Sequence, residues 1–449
     1  MTPICLAPHN SLFFSMTGKA YFCLANRTLI PGTYPENSVK EIIEGKVGME
    51  LRKEFQTGDF GRGCEKCKLL HDQGMSAAAF YNFHKEFEPQ KDFLPRYIDF
   101  ELDNRCNLSC SMCRPFFSSL IPFSDGASNQ YRSPYDEAFY QSFDPYIPHL
   151  VKAHFRGGEP FVIKRYHDFW ERLMAINPSI RIGATTNGTV LPERVMPLIR
   201  KGNFDINISL DSLERKTWES IRVGGDFETW RHNLDLLLSL KKKGTIRLSA
   251  CICLMTLNYK EIPALFEFCN KNKVTIHINY VETPHYLSLA AWSNQQLQAL
   301  VKAWEKRRLR GRGPAASHNA MVFRTLLHHL QHWISTNRQV LYPTTYSVAS
   351  LEEVQRRFWE RLAPYEKEIK ALAWGPEELQ RKMHALKDRE IPGFPLELAF
   401  AELNALPVET ILQSLQHDPP EEVMRKILEK YYLAANILKY GNSDPVDAT

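Results

Sequence analysis

Strand-like and helix-like segments alternate along the middle of the chain, and this alternation constrains the fold more than any other feature. Six short runs predict strands: YIDFEL (97–102), VKAHF (151–155), RIGATT (181–186), DINISL (205–210), IRLSACICL (246–254) and VTIHINYV (274–281). The stretches with helical periodicity between them include 164–176, 191–201, 227–243 and 259–271. Alternating units of this kind form parallel strands with right-handed crossovers. The pattern predicts an α/β fold built on a partial (β/α)6 barrel over residues 96–290, with its chemistry at the carboxyl ends of the strands.

Three further regions flank this core. We expect a small cysteine-bearing α+β unit at 1–75, a connecting helix and linker at 76–95, and a mainly helical region at 291–449. In the first of these, LFFSMTGKAYFC predicts two short strands around the turn Thr17-Gly18-Lys19. The role of the helical region does not follow from its sequence.

Composition excludes several classes of protein. A chain of 449 residues with 44% hydrophobic and 24% charged residues is typical of a globular protein and not of a disordered one. The net charge of +5 is small for this length and gives no indication of a nucleic-acid partner. No apolar run approaches the roughly 18 residues of a membrane span, and the first residues lack the pattern of a secretory leader. These features predict a cytoplasmic protein without membrane or nucleic-acid partners.

The ten cysteines fall into groups, and clustered cysteines in that compartment indicate metal binding or chemistry more than disulfides. Directly after the first predicted strand, Cys106, Cys110 and Cys113 follow a C-x3-C-x2-C spacing. Three soft thiolates this close suit an iron–sulfur cluster in which one iron lacks a protein ligand and is free to bind a small molecule. The alternative is a zinc knuckle or a set of buried thiols.

Three more motifs lie at the predicted ends of the next strands. They are Gly157-Gly158-Glu159-Pro160, Thr186-Asn187-Gly188, and Ser209-Leu210-Asp211 with Arg222 beyond it. A glycine pair lets the backbone approach a ligand closely, and a carboxylate accepts hydrogen bonds from an ammonium group. Taken singly, the same residues also suit turns, helix caps or salt bridges.

Together, the cysteine spacing, its position after the first strand and these motifs resemble the radical SAM superfamily. The resemblance implies that the three cysteines hold a [4Fe-4S] cluster whose fourth iron binds S-adenosylmethionine (SAM). It implies reductive cleavage of SAM to a 5′-deoxyadenosyl radical, which abstracts a hydrogen atom from the substrate. The family usually has an aromatic residue before the third cysteine, where this chain has Met112. By the same resemblance, the residues that contact SAM are Gly157, Gly158, Glu159, Thr186, Asn187, Ser209, Asp211, Arg222 and Val281.

The N-terminal unit contains a second set of ligands, because Cys5, Cys23, Cys64 and Cys67 supply four thiolates. Structural zinc and a fully ligated [4Fe-4S] cluster both suit such a set, and the spacing alone does not separate them. The segment resembles the twitch domain, the one-cluster form of the SPASM domain of radical SAM enzymes. That resemblance implies an auxiliary [4Fe-4S] cluster, although the twitch domain usually follows the barrel and here precedes it.

The resemblance also indicates a substrate class, because enzymes with twitch and SPASM domains often modify peptides by crosslinking, oxidation or epimerisation. A radical dehydrogenase or epimerase of a sugar or another small molecule is the alternative, and a zinc-stabilised binding scaffold without catalysis is a third. The family implies a flavodoxin- or ferredoxin-type electron donor. Cys251 and Cys253 share one face of the fifth strand, where a thiol can give a hydrogen atom to a substrate radical or simply pack the barrel.

Overall fold

The structure, a computed structural model, describes the chain in several ranges. These are residues 4–53, 55, 60, 63–72, 81–88, 94–121, 131–281, 287–335 and 351–370, with the single positions 378, 381, 408, 411, 412, 415 and 420. The chain forms two compact units. The first comprises Met1–Cys253, Glu261–Asn279 and Arg308–Leu326, and the second Leu254–Lys260, Tyr280–Arg307 and Leu327–Thr449.

One eight-stranded sheet organises the fold, with the strand order β2-β1-β3-β4-β5-β6-β7-β8. The strands are β1 Ser11–Phe14, β2 Ala20–Tyr21, β3 Tyr97–Glu101, β4 Lys152–Arg156, β5 Arg181–Thr186, β6 Asn203–Ser209, β7 Ile246–Leu254 and β8 Thr275–Tyr280. From β1 through β3 to β7, each neighbouring pair is parallel. The six predicted barrel strands are therefore confirmed, in the predicted order and with ends that differ by at most two residues.

Helices connect these strands as the alternation predicts. They are α1 Ala7–Asn10, α2 Val39–Glu44, α3 Lys46–Lys53, α4 Glu65–Asp72, α5 Tyr81–His84, α6 Glu137–Gln141, α7 Lys164–Ile176, α8 Val195–Lys201, α9 Arg215–Ile221, α10 Phe227–Lys242, α11 Ile262–Lys271, α12 Asn294–Glu305, α13 Pro314–Ser335, α14 Leu351–Leu362 and α15 Glu366–Lys370. The connecting helix expected within 76–95 is the single turn α5, and residues 73–80 and 89–93 lie outside the described residues.

The two faces of the sheet differ in chemistry because side chains alternate along each strand. On the outer face, Phe100 stacks on Phe155 at 5.1 Å between ring centroids, and Phe155 meets Trp170 of α7 at 5.7 Å. Trp170 is fully buried, so its replacement by alanine should cost about 3–5 kcal/mol. The opposite, inner face carries polar side chains such as Asp99 and His154. A closed barrel fills this space with bulky apolar residues, so the polar inner face here is suited to a polar ligand.

The cysteine-bearing N-terminal unit is joined to this same sheet. The predicted hairpin is confirmed, since β1 and β2 pair antiparallel with Phe13 opposite Tyr21. In addition, β1 pairs in parallel with β3, with Ser11 opposite Tyr97. The aromatic insertion that precedes β4 packs onto this edge from the outer face, where Phe139 meets the ring of Phe14 at 5.3 Å. The first two strands are therefore an extension of the barrel sheet.

The described part of the second unit is mainly helical, as predicted for the C-terminal region. A capping box at Ser293 and Gln296 opens α12, and His329 of α13 stacks on Tyr280 at 3.8 Å between ring centroids. Among the described residues, no helix combines the length and apolar character required to cross a membrane.

Candidate active site

The predicted cysteine triplet lies on the loop that follows β3, and hydrogen bonds to neighbouring segments fix the loop. Ser109 N donates to Val223 O at 3.0 Å, and Ser111 N donates to Ile221 O at 2.9 Å, so the loop runs beside the end of α9. The hydroxyl of Ser118 donates to a loop carbonyl from the other side at 2.7 Å. These contacts hold the three thiols at the carboxyl edge of the sheet.

The three thiols influence one another electrostatically. Burial, together with a negative charge on Cys110, raises the pKa of Cys106 to about 11 and that of Cys113 to about 12. Nη1 of Arg222 donates to Cys110 Sγ at 3.6 Å. Thiols that resist ionisation on their own become ligands when a metal centre replaces the proton. The residues therefore fit an iron–sulfur cluster held by three cysteines.

Within the ranges that the structure describes, no group of three or more His, Cys, Asp or Glu side chains is arranged to hold one metal ion. The thiolates of a four-iron cluster each bind a different iron, so they need no common point of convergence.

The glycine pair after β4 packs against the entry to the cysteine loop. Gly157 and Gly158 have φ values of 81° and 48°, in the left-handed region that glycine tolerates best. A Cβ atom on Gly158 would lie 2.1 Å from the carbonyl oxygen of Arg105. Glu159 N donates to the same oxygen at 2.8 Å. Only a residue without a side chain lets these two segments approach so closely.

Glu159 links the ends of β4 and β5. Its carboxylate accepts from the hydroxyl of Thr186 at 2.7 Å, from Asn187 N at 2.7 Å and from Phe161 N at 3.0 Å. Burial raises its pKa to about 7, although these three hydrogen bonds favour the ionised form. A carboxylate offers about four acceptor positions, so one remains for a donor on a ligand.

A hydrogen-bonded network joins this region to the cysteine loop itself. Asn187 Nδ2 donates to Asn107 Oδ1 at 3.0 Å, and Asn107 Nδ2 donates to Thr189 Oγ1 at 2.8 Å. Thr189 closes the network through its hydroxyl, which donates to Asn187 Oδ1 at 2.6 Å. Asn107 lies between the first two cysteines, so the Thr186-Asn187-Gly188 turn and the cysteine loop are held as one piece.

Arg222 and Asp211 form a buried ion pair beside the triplet. Arg222 Nε donates to Asp211 Oδ2 at 2.7 Å, and Nη2 donates to the same oxygen. The other oxygen of Asp211 accepts from Cys253 N at 2.7 Å. Burial alone would lower the pKa of Arg222, but the charges of Asp211 and Cys110 raise it well above its usual value. Asp211 thereby orients the guanidinium towards the cysteine loop.

Most of the residues predicted to contact SAM are brought together. Eight of the nine lie in the first unit, around the strand ends described above. Ser209 is the last residue of β6, is 9% exposed and lies opposite Cys251 in the sheet register. Val281 belongs to the second unit, where its backbone N–H donates to Leu254 O at 3.4 Å.

The two candidate hydrogen-atom donors share the inner face of β7. Cys251 is buried, and its sulfur accepts from Asn279 Nδ2 at 3.1 Å. A hydrogen bond between the two thiols lowers the pKa of Cys251 and raises that of Cys253 well above its usual value. Both side chains therefore point to the inner face of the sheet and not to its helix-covered outer face.

The four N-terminal cysteines are also close together. Burial, together with the charges of Cys23, Cys64 and Cys67, raises the pKa of Cys5 to about 12. Asn26 contacts two of these sulfurs, since its backbone N–H donates to Cys23 Sγ and its side-chain amide to Cys64 Sγ, both at 3.3 Å. Four soft thiolates are the donor set of a fully ligated iron–sulfur cluster or a structural zinc ion, although here too the described side chains do not converge on a single metal ion.

This second set of thiols lies towards the opposite end of the strands. Helix α1 leads from the Cys5 side directly into the amino end of β1, and β2 runs back towards that end before Cys23. Tyr81 packs against Cys5 and Cys67. The two sets are therefore separated by at least the length of β3. Five residues make four steps of about 3.3 Å, so this length is about 13 Å.

Ion pairs occupy the inner face between the two cysteine sets. All four lysine and arginine residues on β3 to β8 are paired with carboxylates. The pairs are Lys152 with Asp205 at 2.8 Å, Arg156 with Asp99 at 2.7 Å, Arg181 with Glu86 at 2.6 Å, and Arg247 with Asp205. Sequence reasoning missed these pairs, together with Glu101, Asn107 and Thr189. The signal for the inner-face charges was present, because charged residues occupy alternate positions in YIDFE and KAHFR.

Comparison with known proteins shows which family the central part of this sequence resembles. Residues 101–269 match the family model of the Radical SAM superfamily. This segment is a radical SAM domain. Its match begins at the end of β3 and includes the cysteine triplet and all three strand-end motifs.

Curated relatives share part of this region. Molybdenum cofactor biosynthesis protein 1 of Drosophila melanogaster is 28% identical over 183 residues, which cover 40% of this chain and 30% of the relative. The GTP 3′,8-cyclase of Clostridium botulinum is 28% identical over 180 residues, 40% of this chain and 54% of that enzyme. The corresponding cyclase of Campylobacter jejuni is 27% identical over 190 residues, 42% of this chain and 57% of the relative. The chain thus spans about a third to somewhat over half of the length of these relatives.

Two solved structures resemble this chain with lower sequence identity than these relatives. One is native anSMEcpe with bound AdoMet, with 19% identity, a TM-score of 0.36, and coverage of 47% of this chain and 60% of that chain. The other is Streptococcus suis SuiB, with 15% identity, a TM-score of 0.35, and coverage of 59% and 57%.

Proposed function

We propose that the protein is a radical SAM enzyme that reductively cleaves SAM and abstracts a hydrogen atom from its substrate. The observation that carries this proposal is the cysteine triplet, fixed at the carboxyl edge of the sheet inside the segment that matches the family. Cys106, Cys110 and Cys113 would hold the cluster through their thiolates. When bound, the cluster and SAM supply a 5′-deoxyadenosyl radical.

The residues of this chain position SAM and exclude water. The glycine pair at 157–158 leaves room for close backbone approach, and Glu159 keeps one acceptor position for an ammonium group. Thr186, Asn187, Ser209 and Arg222 offer hydroxyl, amide and guanidinium groups at the neighbouring strand ends, and Val281 is proposed as a further contact. Asp211 acts through Arg222, which it orients. The buried polar inner face would keep bulk water from a reactive radical.

Metal analysis and SAM turnover test this function. After anaerobic reconstitution and reduction with dithionite, we expect 5′-deoxyadenosine from the wild-type protein and none from a variant with Cys106, Cys110 and Cys113 all changed to alanine. The Cys269→Ala variant is the matched control, because this buried cysteine lies on α11 away from both sets. A wild-type protein that binds zinc in the triplet and yields no 5′-deoxyadenosine would overturn the proposal in favour of a zinc-stabilised scaffold.

We propose that Cys5, Cys23, Cys64 and Cys67 bind an auxiliary [4Fe-4S] cluster. Their mutual proximity and their position at the amino end of β1 support a redox centre about one strand length from the triplet. We expect about eight irons per chain in the wild type and about four in a variant lacking these four thiols. Retention of one zinc and about four irons in the wild type would instead assign this site to structural zinc.

The leading substrate class is a peptide undergoing crosslinking, oxidation or epimerisation. A triphosphate nucleotide, the kind of substrate named for the curated cyclases, requires several unpaired cations or a metal ion. On strands β3 to β8, every lysine and arginine is already paired with a carboxylate. This charge balance favours a polar substrate without high negative charge. A sugar or another small neutral molecule is the alternative that the same charge balance suits.

A hydrogen-atom donor would decide between peptide epimerisation and oxidation. Cys251 and Cys253 share the inner face of the sheet, which supports such a role for one of them. Changing both to alanine should abolish deuterium incorporation into a peptide product in D2O if the reaction is an epimerisation. Full retention of deuterium incorporation would exclude both thiols. A flavodoxin- or ferredoxin-type protein is proposed as the source of the electron for SAM cleavage.

A further inference from the structure

Glu101 is a buried carboxyl group that the network around the cysteine loop does not use. It is the last residue of β3 and lies opposite Arg156 in the sheet register. Its neighbour Phe100 packs on the outer face, so the side chain of Glu101 points to the inner face. Glu101 is 8% exposed, and no residue in the described ranges donates a hydrogen bond to its carboxylate. An acceptor on the inner face without a protein donor is available to a donor on a ligand.

Two guanidinium groups act on this carboxyl, and they differ in availability. Burial raises the pKa of Glu101 to about 7, although the charges of Arg27 and Arg156 lower it and only Asp99 adds a repulsive charge. Arg156 is paired with Asp99, since Nε and Nη2 both donate to this carboxylate, at 2.8 Å and 2.7 Å. Its charge therefore balances that of Asp99.

Arg27 is held differently. Its guanidinium lies over the ring of Phe13 at 4.1 Å and over that of Tyr21 at 5.0 Å. Its Nε donates to Leu24 O at 3.1 Å, and within the described ranges its terminal amino groups donate no hydrogen bond. The two aromatic faces fix the plane of the guanidinium while the terminal N–H groups stay available.

The charges of this group determine which ligand it fits. Glu101 and Asp99 carry two negative charges when ionised, and Arg27 and Arg156 carry two positive charges. A ligand with a net charge would add a charge that none of these four groups balances in a buried site. A neutral group with both a donor and an acceptor satisfies Glu101 and Arg27 together. The amide of a peptide has this combination.

The position of Glu101 connects this group to the proposed SAM site. A Cβ atom on Gly157 would lie 3.0 Å from Glu101 Cγ, so the carboxyl lies directly beside the glycine pair. A ligand amide held by Glu101 would therefore lie next to the strand-end motifs, on their inner side.

We propose that Glu101 and Arg27 anchor the substrate by binding one of its amide groups, with the N–H donated to Glu101 and the carbonyl oxygen accepting from Arg27. This inference rests on the proposed function and assigns its substrate class to amide-containing molecules. Glu101 is a substrate-binding residue in this scheme, and no proton transfer is assigned to it.

Binding of blocked tripeptides tests the anchor. A pool of acetylated and amidated tripeptides is screened against the reconstituted wild-type protein with SAM present, by equilibrium dialysis and by the increase in 5′-deoxyadenosine formation over the peptide-free rate. The best peptide is then compared with ester analogues, each of which lacks one N–H group. We expect one ester to bind about tenfold to a hundredfold more weakly, the usual range for a hydrogen bond to a charged group.

The variants then assign that difference to a residue. In Glu101→Leu the affinity ratio between peptide and ester should fall to near one, and Glu101→Gln, which keeps an acceptor of the same shape, should retain an intermediate ratio. Arg27→Met should weaken the peptide and its ester equally. Glu267→Gln is the matched control, since this carboxyl is exposed on α11, and it should behave as wild type.

The outcomes separate the anchor from the proposed function. If the wild type forms 5′-deoxyadenosine but binds no tripeptide, or binds GTP instead, the anchor is refuted and the radical chemistry stands. An affinity ratio that stays the same in Glu101→Leu and in Glu101→Gln also refutes the anchor. Dialysis does not depend on turnover, so it tests the anchor even in a preparation that forms no 5′-deoxyadenosine.

Discussion

Substitution of Gly158 by alanine should disrupt the site through one calculable contact. The φ of 48° is in the left-handed region, where a side chain costs roughly 1–2 kcal/mol. The added Cβ would also lie 2.1 Å from Arg105 O, well inside van der Waals contact, so backbone must move. Overpacking of this kind adds roughly 1–3 kcal/mol. The total expected loss in the free energy of unfolding is about 2–5 kcal/mol.

Gly224 offers a matched control for this prediction. Its φ of 87° is equally left-handed, but a Cβ atom there would meet nothing within 4 Å. Gly224→Ala should therefore cost only the backbone strain, about 1–2 kcal/mol, with normal iron content. Gly158→Ala should in addition lose iron, because the displaced carbonyl belongs to the residue immediately before Cys106. Thermal midpoints and iron per chain measure both effects. Equal losses of stability and iron in the two variants would show that the contact with Arg105 O has no effect.

Three further predictions follow from the site. Asp211→Asn leaves Arg222 buried without its carboxylate partner and should destabilise the protein by about 3–5 kcal/mol in chemical denaturation. The control Asp168→Asn loses an exposed ion pair with Arg194 and should cost less than about 1 kcal/mol. Similar costs in the two variants would show that burial does not set the strength of these ion pairs. The pKa of Glu101 is raised to about 7, so the folded state favours the protonated carboxyl, and this group contributes most to stability at low pH. The contribution should be lost as the pH rises from about 4.5 through 7, by about 3 kcal/mol at most. A Glu101→Gln variant whose free energy of unfolding falls equally over that range would show that Glu101 is not the source of the pH dependence. Asn107→Ala removes the hydrogen bonds between the cysteine loop and the segment 186–189. This variant should raise the KM for SAM about fivefold to tenfold with iron content unchanged. Loss of iron in the variant would show that the network supports the cluster instead.

Strand positions could be predicted from the sequence because alternation and turn residues are local signals. The β5 and β7 boundaries agree with the runs RIGATT and IRLSACICL, and α7 begins and ends where its periodicity does. The position of the cysteine triplet after the first barrel strand could be predicted for the same reason, since its three cysteines occupy one short loop. Local patterns of this kind survive folding unchanged.

Contacts between distant segments could not be predicted in this way. The pairing of β1 with β3 depends on two strands separated by the whole cysteine-bearing unit, and no local pattern specifies such a partner. The Asn107–Thr189 hydrogen bond and the proximity of Arg27 to Glu101 likewise arise only when the sheet closes. Arg222 illustrates an intermediate case, because its motif is local in sequence while its buried ion pair with Asp211 arises only in the folded sheet.

The parallel pairing of β1 with β3 has a consequence for biogenesis. During synthesis the first strand emerges from the ribosome before β3 does, so β1 has no sheet to join at that stage. The hairpin of β1 and β2 must then wait for β3 and, once paired with it, covers the edge of the barrel sheet. A chain without this hairpin would present β3 as an unprotected edge, which makes the N-terminal strands a determinant of aggregation as well as of the fold.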